Sequence, residues 1–315
     1  MRGRHPQAAG FRHEAFFYAD DDEFLAGAIP FLEEGVAAEE LVLVVLPEPR
    51  RRVLQGEMGA AGVEMEIQPM EEMGRNPGRL ISAWRDVLKE RGSERGVRGL
   101  GEPIWAERSA AELEECERHE RLLNLAFGEE RALTFMCPYD TSALDDEVLA
   151  AAERSHPHHA SPRGRTASPE FSLHTSLEGS LPQPDRPTAT LCFGKADLRT
   201  VRQAVARLAH SAGLAPRRNE DLVLAVCEVA TNSIQHGGGE GILAVWREDE
   251  NLVCDVRDRG RIEDPLVGRE RPPGEQVVGR GLWIANQLCD LVQVRSGDEG
   301  TQVRLRMEID LQRAG

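Results

Sequence analysis

The chain has 315 residues, a formal net charge of −16 and a hydrophobic fraction of 40%, enough for two ordinary soluble domains, and its acidity opposes a phosphate backbone, so a direct DNA partner is not expected. The longest aliphatic run, residues 41–46, is far too short for a bilayer, and MRGRHPQAAG has no apolar core behind its positive charges, so a cytoplasmic protein with no membrane association is expected. The six cysteines are scattered without a CxxC pair, which suits reduced thiols and argues against a disulfide frame or a zinc site.

The first half alternates strand-like and helix-like stretches. Residues 14–19 read as a strand, 21–35 as a helix with acidic residues in its first turn, and 41–46 as a buried strand. A helix over 48–62, a strand over 63–69 and a helix opened by Pro77 follow. Residues 97–105 form a strand with its loop, 109–128 a helix with Ser109 and Glu112 as a capping box, 132–140 a strand and 142–154 a helix. Strands alternating with helices predict an α/β domain over 11–153, a mainly parallel sheet covered on both faces. Neither GxxxxGK[ST] nor an early GxGxxG is present, so the usual phosphate-cradling chemistry is missing and a sensory or docking role is expected.

HEAFFYADDDEFLAGAIPFLEEGVAAEELVLVV (13–45), the EP and W of 102–105, ERLLN (120–124), CPYD (137–140) and the HP pair at 156–157 together resemble the DcmR-type sensory domain, MEDS. The resemblance covers nearly all of 11–157 and implies a three-layer fold distantly related to RecA and KaiC, without the P-loop, that senses a small molecule. His13, Tyr18, Glu102, Trp105, Glu120, Cys137, Tyr139 and Asp140 are then candidates to line a sensory pocket. Read singly, Trp105 and Tyr139 are also ordinary core or interface residues, and Cys137 an ordinary buried thiol.

Residues 154–187, rich in Pro, Ser and His without sustained periodicity, read as a partly disordered linker. Its HPHH (156–159) is expected to be solvated, because no Cys or carboxylate lies beside it at ligand spacing.

The second domain, 188–311, reads as a strand (188–194), two helices (196–213 and 216–236), two tightly joined strands (241–249 and 251–258), a charged Pro/Gly-rich segment (259–281), a helix (282–291) and two more strands (292–298 and 301–309). Helices segregated from antiparallel strands indicate a two-layer α+β fold. The helix over 216–236 sets Glu228, Asn232 and His236 one turn apart on one face and stops in three glycines, 237–239.

Glu228 with Asn232, Asp258-Arg-Gly260, Gly279-Arg280-Gly281 and Gly300-Thr301 occur in that order. In order and spacing they resemble the N box, two glycine boxes and closing threonine of the GHKL (Bergerat) ATPase fold, and EVATNSIQHG resembles the RsbW/SpoIIAB anti-sigma serine kinases. The resemblance implies ATP and Mg as cofactors. Asn232 would be the Mg ligand, Glu228 the catalytic base, and Asp258, Gly260, Gly279, Arg280, Gly281, Leu282 and Thr301 would contact the nucleotide. Residues 261–278 would be a mobile lid, and His236 would orient the helix exit. The residue types suit these roles. An amide oxygen can ligate Mg, a carboxylate can take a proton, and open backbone N–H groups at a helix start can hold phosphate. Singly, each glycine is also a plain turn and Asp258 a strand-end Asx turn. The family's first glycine box is DxGxG; here the stretch 258–262 reads DRGRI, so the second glycine is missing, and Arg261 beside that place puts catalysis in question.

The order of the two domains resembles the RsbA-type anti-sigma regulators. That resemblance implies a factor that binds a stress-type sigma factor, is released by a STAS anti-anti-sigma partner, phosphorylates that partner on serine, and answers to a ligand at its sensory domain; a homodimer is expected. A nucleotide-binding partner-switch module without kinase activity and a sensor histidine kinase-like ATPase are the alternatives.

Overall fold

The computed structural model describes residues 11–58, 65–92, 95–130, 133–272 and 280–309. The chain divides into two compact units, Met1–Thr175 and Ser176–Gly315.

The first unit runs β1 (Arg12–Tyr18), α1 (Asp21–Ala37), β2 (Leu41–Leu46), α2 (Glu48–Met58), β3 (Glu66–Pro69), a one-turn α3 (Met70–Met73), α4 (Leu80–Val87), β4 (Val97–Gly101), α5 (Ala110–Phe127), β5 (Leu133–Asp140), α6 (Asp146–Ser155), β6 (His158–Ser161) and β7 (Gly164–Ala167). The caps follow sequence chemistry: Asp20 accepts the Glu23 N–H at the start of α1, and Ser109 with Glu112 closes a full capping box on α5. The strands form one sheet in the order β3-β2-β4-β5-β1-β6-β7. All its pairs are parallel except the β6–β7 hairpin.

Strand side chains alternate between faces, so the sheet carries two cores. Phe16, Tyr18, Val42, Val44, Leu100 and Met136 pack with Phe24, Phe31 and Leu32 of α1. Ala15, Cys137 and Tyr139 pack on the opposite side with Cys116 of α5 and Val148 and Ala152 of α6. This is the expected three-layer arrangement.

The second unit runs β8 (Ala189–Gly194), α7 (Leu198–Ala212), α8 (Pro216–His236), β9 (Glu240–Glu248), β10 (Asn251–Asp258), α9 (Arg280–Leu288), β11 (Leu291–Gly297) and β12 (Gly300–Glu308). The five strands are antiparallel in the order β11-β12-β10-β9-β8. One core joins Val201 and Val205 of α7, Leu222, Val226 and Val229 of α8 and Leu282 and Ala285 of α9 to Leu243, Cys254, Val256, Val303 and Leu305 of the sheet. Helices therefore cover one face, as the α+β pattern predicts.

The stretch expected to be a linker is built into both units. His158–Ala160 pair with Glu14–Phe16 of β1, and β7 closes a hairpin on them. Further on, the Leu181 N–H donates to Gln302 Oε1 at 2.9 Å, and the Leu177 carbonyl accepts the Ser296 N–H at 2.8 Å. These strands are short and polar, and their partners lie far away in the chain, so no local periodicity announces them.

On the face opposite the helices, Asp255 is fully buried. Its carboxylate accepts from Arg304 Nε at 2.9 Å, Gln302 Nε2 at 2.8 Å and Gln183 Nε2 at 2.5 Å. Removing one partner of a buried ion pair strands the other charge. Asp255→Ala should therefore cost about 3–5 kcal/mol of stability in urea unfolding, against a change near zero for an exposed control such as Glu220→Ala on α8.

Candidate functional site

The second unit holds an open cavity of about 320 Å³ between the end of α8, the end of β10, the start of α9 and the start of β12. Asn232, His236, Gly237, Asp258, Gly260, Leu282 and Thr301 all line it. The last turn of α8 closes with the Gly237 N–H on the Ser233 carbonyl, and the chain leaves through Gly238 and Gly239 at φ +96° and +90°. Only glycine adopts that backbone at no steric cost.

Asp258 is the tightest point of the site. A Cβ on Gly237 would lie 2.3 Å from its Cγ, and one on Gly300, itself at φ +111°, would lie 2.1 Å from its carbonyl oxygen. Its Oδ1 accepts the Gly260 N–H at 2.8 Å. The Thr301 hydroxyl donates to the Gly260 carbonyl at 2.9 Å and meets the Ser296 hydroxyl at 2.8 Å, and Ser296 Oγ in turn accepts the Ile262 N–H at 2.8 Å. Thr301 thus fixes the strand-end loop from beneath. No sequence motif points to Ser296; it sits opposite Thr301 in the β11–β12 ladder, a register that only pairing reveals.

Glu228 and Asn232 both reach the first turn of α9. A Cβ on Gly281 would stand 2.9 Å from Asn232 Nδ2 and 3.2 Å from Glu228 Oε2, so glycine is what leaves the cradle open. Arg280, the first residue of α9, is exposed. Gly279 and residues 273–278 of the expected lid lie outside the described residues. Arg261 also lines the cavity, and its Nη1 donates to exposed Asp298 at 2.7 Å.

The sensory candidates fall into two groups, because residues 13 and 18 of β1 point to opposite faces. On the α1 side, the Tyr18 hydroxyl donates to Glu102 Oε1 at 2.7 Å, and the Arg50 guanidinium lies 4.6 Å over the Tyr18 ring while donating to Asp140 at 2.6 Å. Sequence patterning does not single out Arg50, one of three consecutive arginines at the start of a helix. Burial pushes the Glu102 carboxyl up to about 8, partly offset by the Tyr18 hydrogen bond and by Arg50. On the α5 side, His13, Glu120 and Cys137 converge with His156 and with Tyr139, whose ring meets that of His156 edge-on at 5.6 Å. His156 is fully buried, so the expectation of a solvated linker histidine is corrected: the carboxylate and thiol beside it come from α5 and β5 and are invisible in local spacing. Trp105 belongs to neither group; its ring is covered by Arg108 at 3.9 Å.

Residues 12–157 match the family model for the MEthanogen/methylotroph, DcmR Sensory domain (MEDS), and residues 194–307 match the Histidine kinase-like ATPase domain. The chain is a MEDS sensory domain followed by a histidine kinase-like ATPase domain of GHKL type. Among solved structures it is similar to the RsbU and RsbW domains of Rv1364c from Mycobacterium tuberculosis, at 22% identity and a TM-score of 0.30, over 39% of this chain and 33% of that one. It is also similar to the Acinetobacter baumannii histidine kinase AdeS, at 12% identity and a TM-score of 0.23, over 39% of this chain and 68% of that one. This chain thus covers only about a third of the first of these. Curated proteins give no significant match. Among the described residues no helix is long and apolar enough to cross a membrane.

The native MEDS domain keeps a proton on Glu102 that an unfolded chain loses near its ordinary 4.5. Raising pH from about 4.5 to about 8 therefore costs the wild type stability. Glu102→Gln keeps an acceptor for Tyr18 and has no proton to lose, so it should gain stability relative to wild type across that window in urea unfolding at stepped pH. In the ATPase domain, Gly237→Ala should displace Asp258, cost about 1–3 kcal/mol as an overpacked site and weaken adenine nucleotide binding measured by calorimetry.

Proposed function

We propose that this protein is a cytoplasmic anti-sigma factor of the partner-switching kind. Its ATPase domain holds a stress-type sigma factor, a STAS-domain anti-anti-sigma protein competes for that surface, and the MEDS domain biases the exchange by binding a small molecule. In this reading the ATPase domain is also a serine kinase for the STAS partner, and the chain acts as a homodimer.

The observation that carries the kinase reading is the placement of Glu228 and Asn232, one turn apart on α8, both against the glycine at the start of α9. The glycine cradle fits a nucleotide. Asn232 offers the amide oxygen suited to a magnesium ion. Asp258, one oxygen of which is engaged by the Gly260 N–H, keeps the other for the amino edge of an adenine. The exposed N-terminus of α9 offers N–H groups to phosphate. MgATP, when bound, supplies the phosphoryl group and the charge that stabilises its transfer. Glu228 then accepts the proton of the attacking serine hydroxyl. Phosphorylation adds charge to the partner's docking surface and so lowers its affinity.

The observation that bears on the module without kinase activity is Arg261, which lines the cavity while its guanidinium is held by an ion pair with Asp298 of the β11–β12 turn. For a histidine kinase the histidines that precede the ATPase domain matter. His156 caps α6, and His158 and His159 lie in β6, so none of these three is displayed on a dimerising helix.

Calorimetry of the full chain with MgATP should show one site per ATPase domain, with Asn232→Ala weakening it at least about tenfold. With labelled ATP and a STAS-domain protein, Glu228→Gln should keep nucleotide binding while slowing transfer by about 10²–10⁴. Transfer that is absent in wild type despite tight nucleotide binding would leave the binding module as the function.

A further inference from the structure

The buried cluster on the α5 side of the MEDS sheet has a chemistry that small-molecule sensing does not require. His13, Glu120, Cys137 and His156 come from β1, α5, β5 and the end of α6, and one ligand atom from each lies within 4.8 Å of all the others. None of the four is more than 4% exposed. We propose that they bind a late first-row divalent cation, zinc by preference, in a four-coordinate site.

The ring tautomers are set from outside the cluster. Asn124 Nδ2 donates to the carbonyls of Glu120 at 3.1 Å and Ser155 at 2.8 Å, so its Oδ1, 3.1 Å from His13 Nδ1, is an acceptor facing that nitrogen. His13 Nδ1 therefore carries a hydrogen. His156 Nδ1 faces the Ala152 carbonyl at 2.8 Å and carries one too. Each ring then turns the lone pair of its Nε2 inward, and both face the same carboxylate oxygen, Glu120 Oε2, at 2.9 Å for His13 and 3.3 Å for His156. Three electron pairs aimed at one point repel unless a positive charge sits among them. Outward hydrogen bonds that fix the ligating nitrogen of each imidazole are the usual support of a metal site.

Three separations suit a tetrahedral metal, and the fourth, 2.9 Å between His13 Nε2 and Glu120 Oε2, is hydrogen-bond length and opens by a few tenths of an ångström when an ion enters. Tetrahedral zinc, with bonds of about 2.0 Å to nitrogen or oxygen and 2.3 Å to sulfur, places its donors about 3.3–3.5 Å apart. Here Cys137 Sγ is 3.5 Å from His13 Nε2 and 3.4 Å from Glu120 Oε2, and the His156–Glu120 separation is 3.3 Å. A single proton between His13 and Glu120 leaves His156 Nε2 and Glu120 Oε1 buried without a hydrogen-bond partner, as they are here. A divalent ion engages the His156 nitrogen directly. The carboxylate and a Cys137 thiolate, whose proton leaves on binding, neutralise its charge, which a buried site needs. The mixed nitrogen, sulfur and oxygen donor set suits zinc rather than magnesium or calcium. Tyr139 Oη is buried nearby without a hydrogen-bond partner, and a cavity of about 20 Å³, room for one water, borders Glu120 and Cys137.

The test uses the full chain, purified without a metal-affinity step, stripped with a strong chelator and titrated with Co²⁺ and then Zn²⁺. The expected result is one Co²⁺ per chain with the intense visible bands of tetrahedral coordination and a sulfur-to-cobalt charge-transfer band. Zn²⁺ should displace it and raise the melting temperature. Cys137→Ser should lose the charge-transfer band, His156→Gln should weaken binding, and Asn124→Leu, which touches no metal, should weaken it about 10–100-fold. A weak octahedral cobalt spectrum in folded wild-type protein would overturn the proposal, as would cobalt bands that persist unchanged in both Cys137→Ser and His156→Gln. MgATP binding is read separately, so failure here leaves the ATPase reading untouched.

Discussion

In the ATPase domain everything turns on how closely the end of α8 approaches the end of β10. Gly237 and Gly260 lie so near Asp258 that neither tolerates a Cβ without displacement, and the turn at Gly300 presses on the same residue from the third side. Glycine is required by space at Gly237 and Gly260, and by both space and dihedral angle at Gly300. The contact places Asp258 at the floor of an open cavity and lets Thr301 and Ser296 hold the loop beneath it. The helical core behind it, Val226 and Val229 against Val256 and Val303, is what keeps α8 at that distance.

A different constraint organises the MEDS domain. Period-two alternation sends successive side chains of β1 and β5 to opposite layers, so one strand serves two unlike environments. On one face Tyr18 shares a hydrogen bond with a carboxyl that burial keeps protonated. On the other, Glu120 is equally buried but lies 2.9 and 3.3 Å from the imidazoles of His13 and His156, and positive charge gathered among these groups, as a proton or a bound cation, favours its ionised form despite desolvation. Two buried glutamates in one domain thus differ in charge because of what stands beside each.

A sensor joined to a nucleotide-binding domain needs states that a ligand can bias, and any coupling must come from differential contacts in those states. Both MEDS clusters tie together elements distant in sequence. The Tyr18 cluster joins β1 to the loop after β4, the end of β5 and α2, and the His13 cluster joins β1, α5, β5 and the end of α6. A change at either cluster therefore acts on several elements of the sheet at once.

Much of this is legible in the residues. Alternating strands and helices announce the layers of the first domain and helices set apart from antiparallel strands those of the second, Ser109 and Glu112 mark the start of α5, and ordered short motifs carry the ATPase assignment, because glycines, carboxylates and amides at those spacings have few other reasons to recur together. Local chemistry acts within a turn or two of the chain, and these features are local. Three things were decided only by the tertiary structure. The polar stretch after α6 became a hairpin because β1 offered it an edge. The candidate sensory residues parted between two faces because of strand parity. His156, unremarkable beside its neighbouring prolines and histidines, came together with His13, Glu120 and Cys137 from opposite ends of the first domain, because a packed sheet gathers side chains that no spacing in the chain can relate.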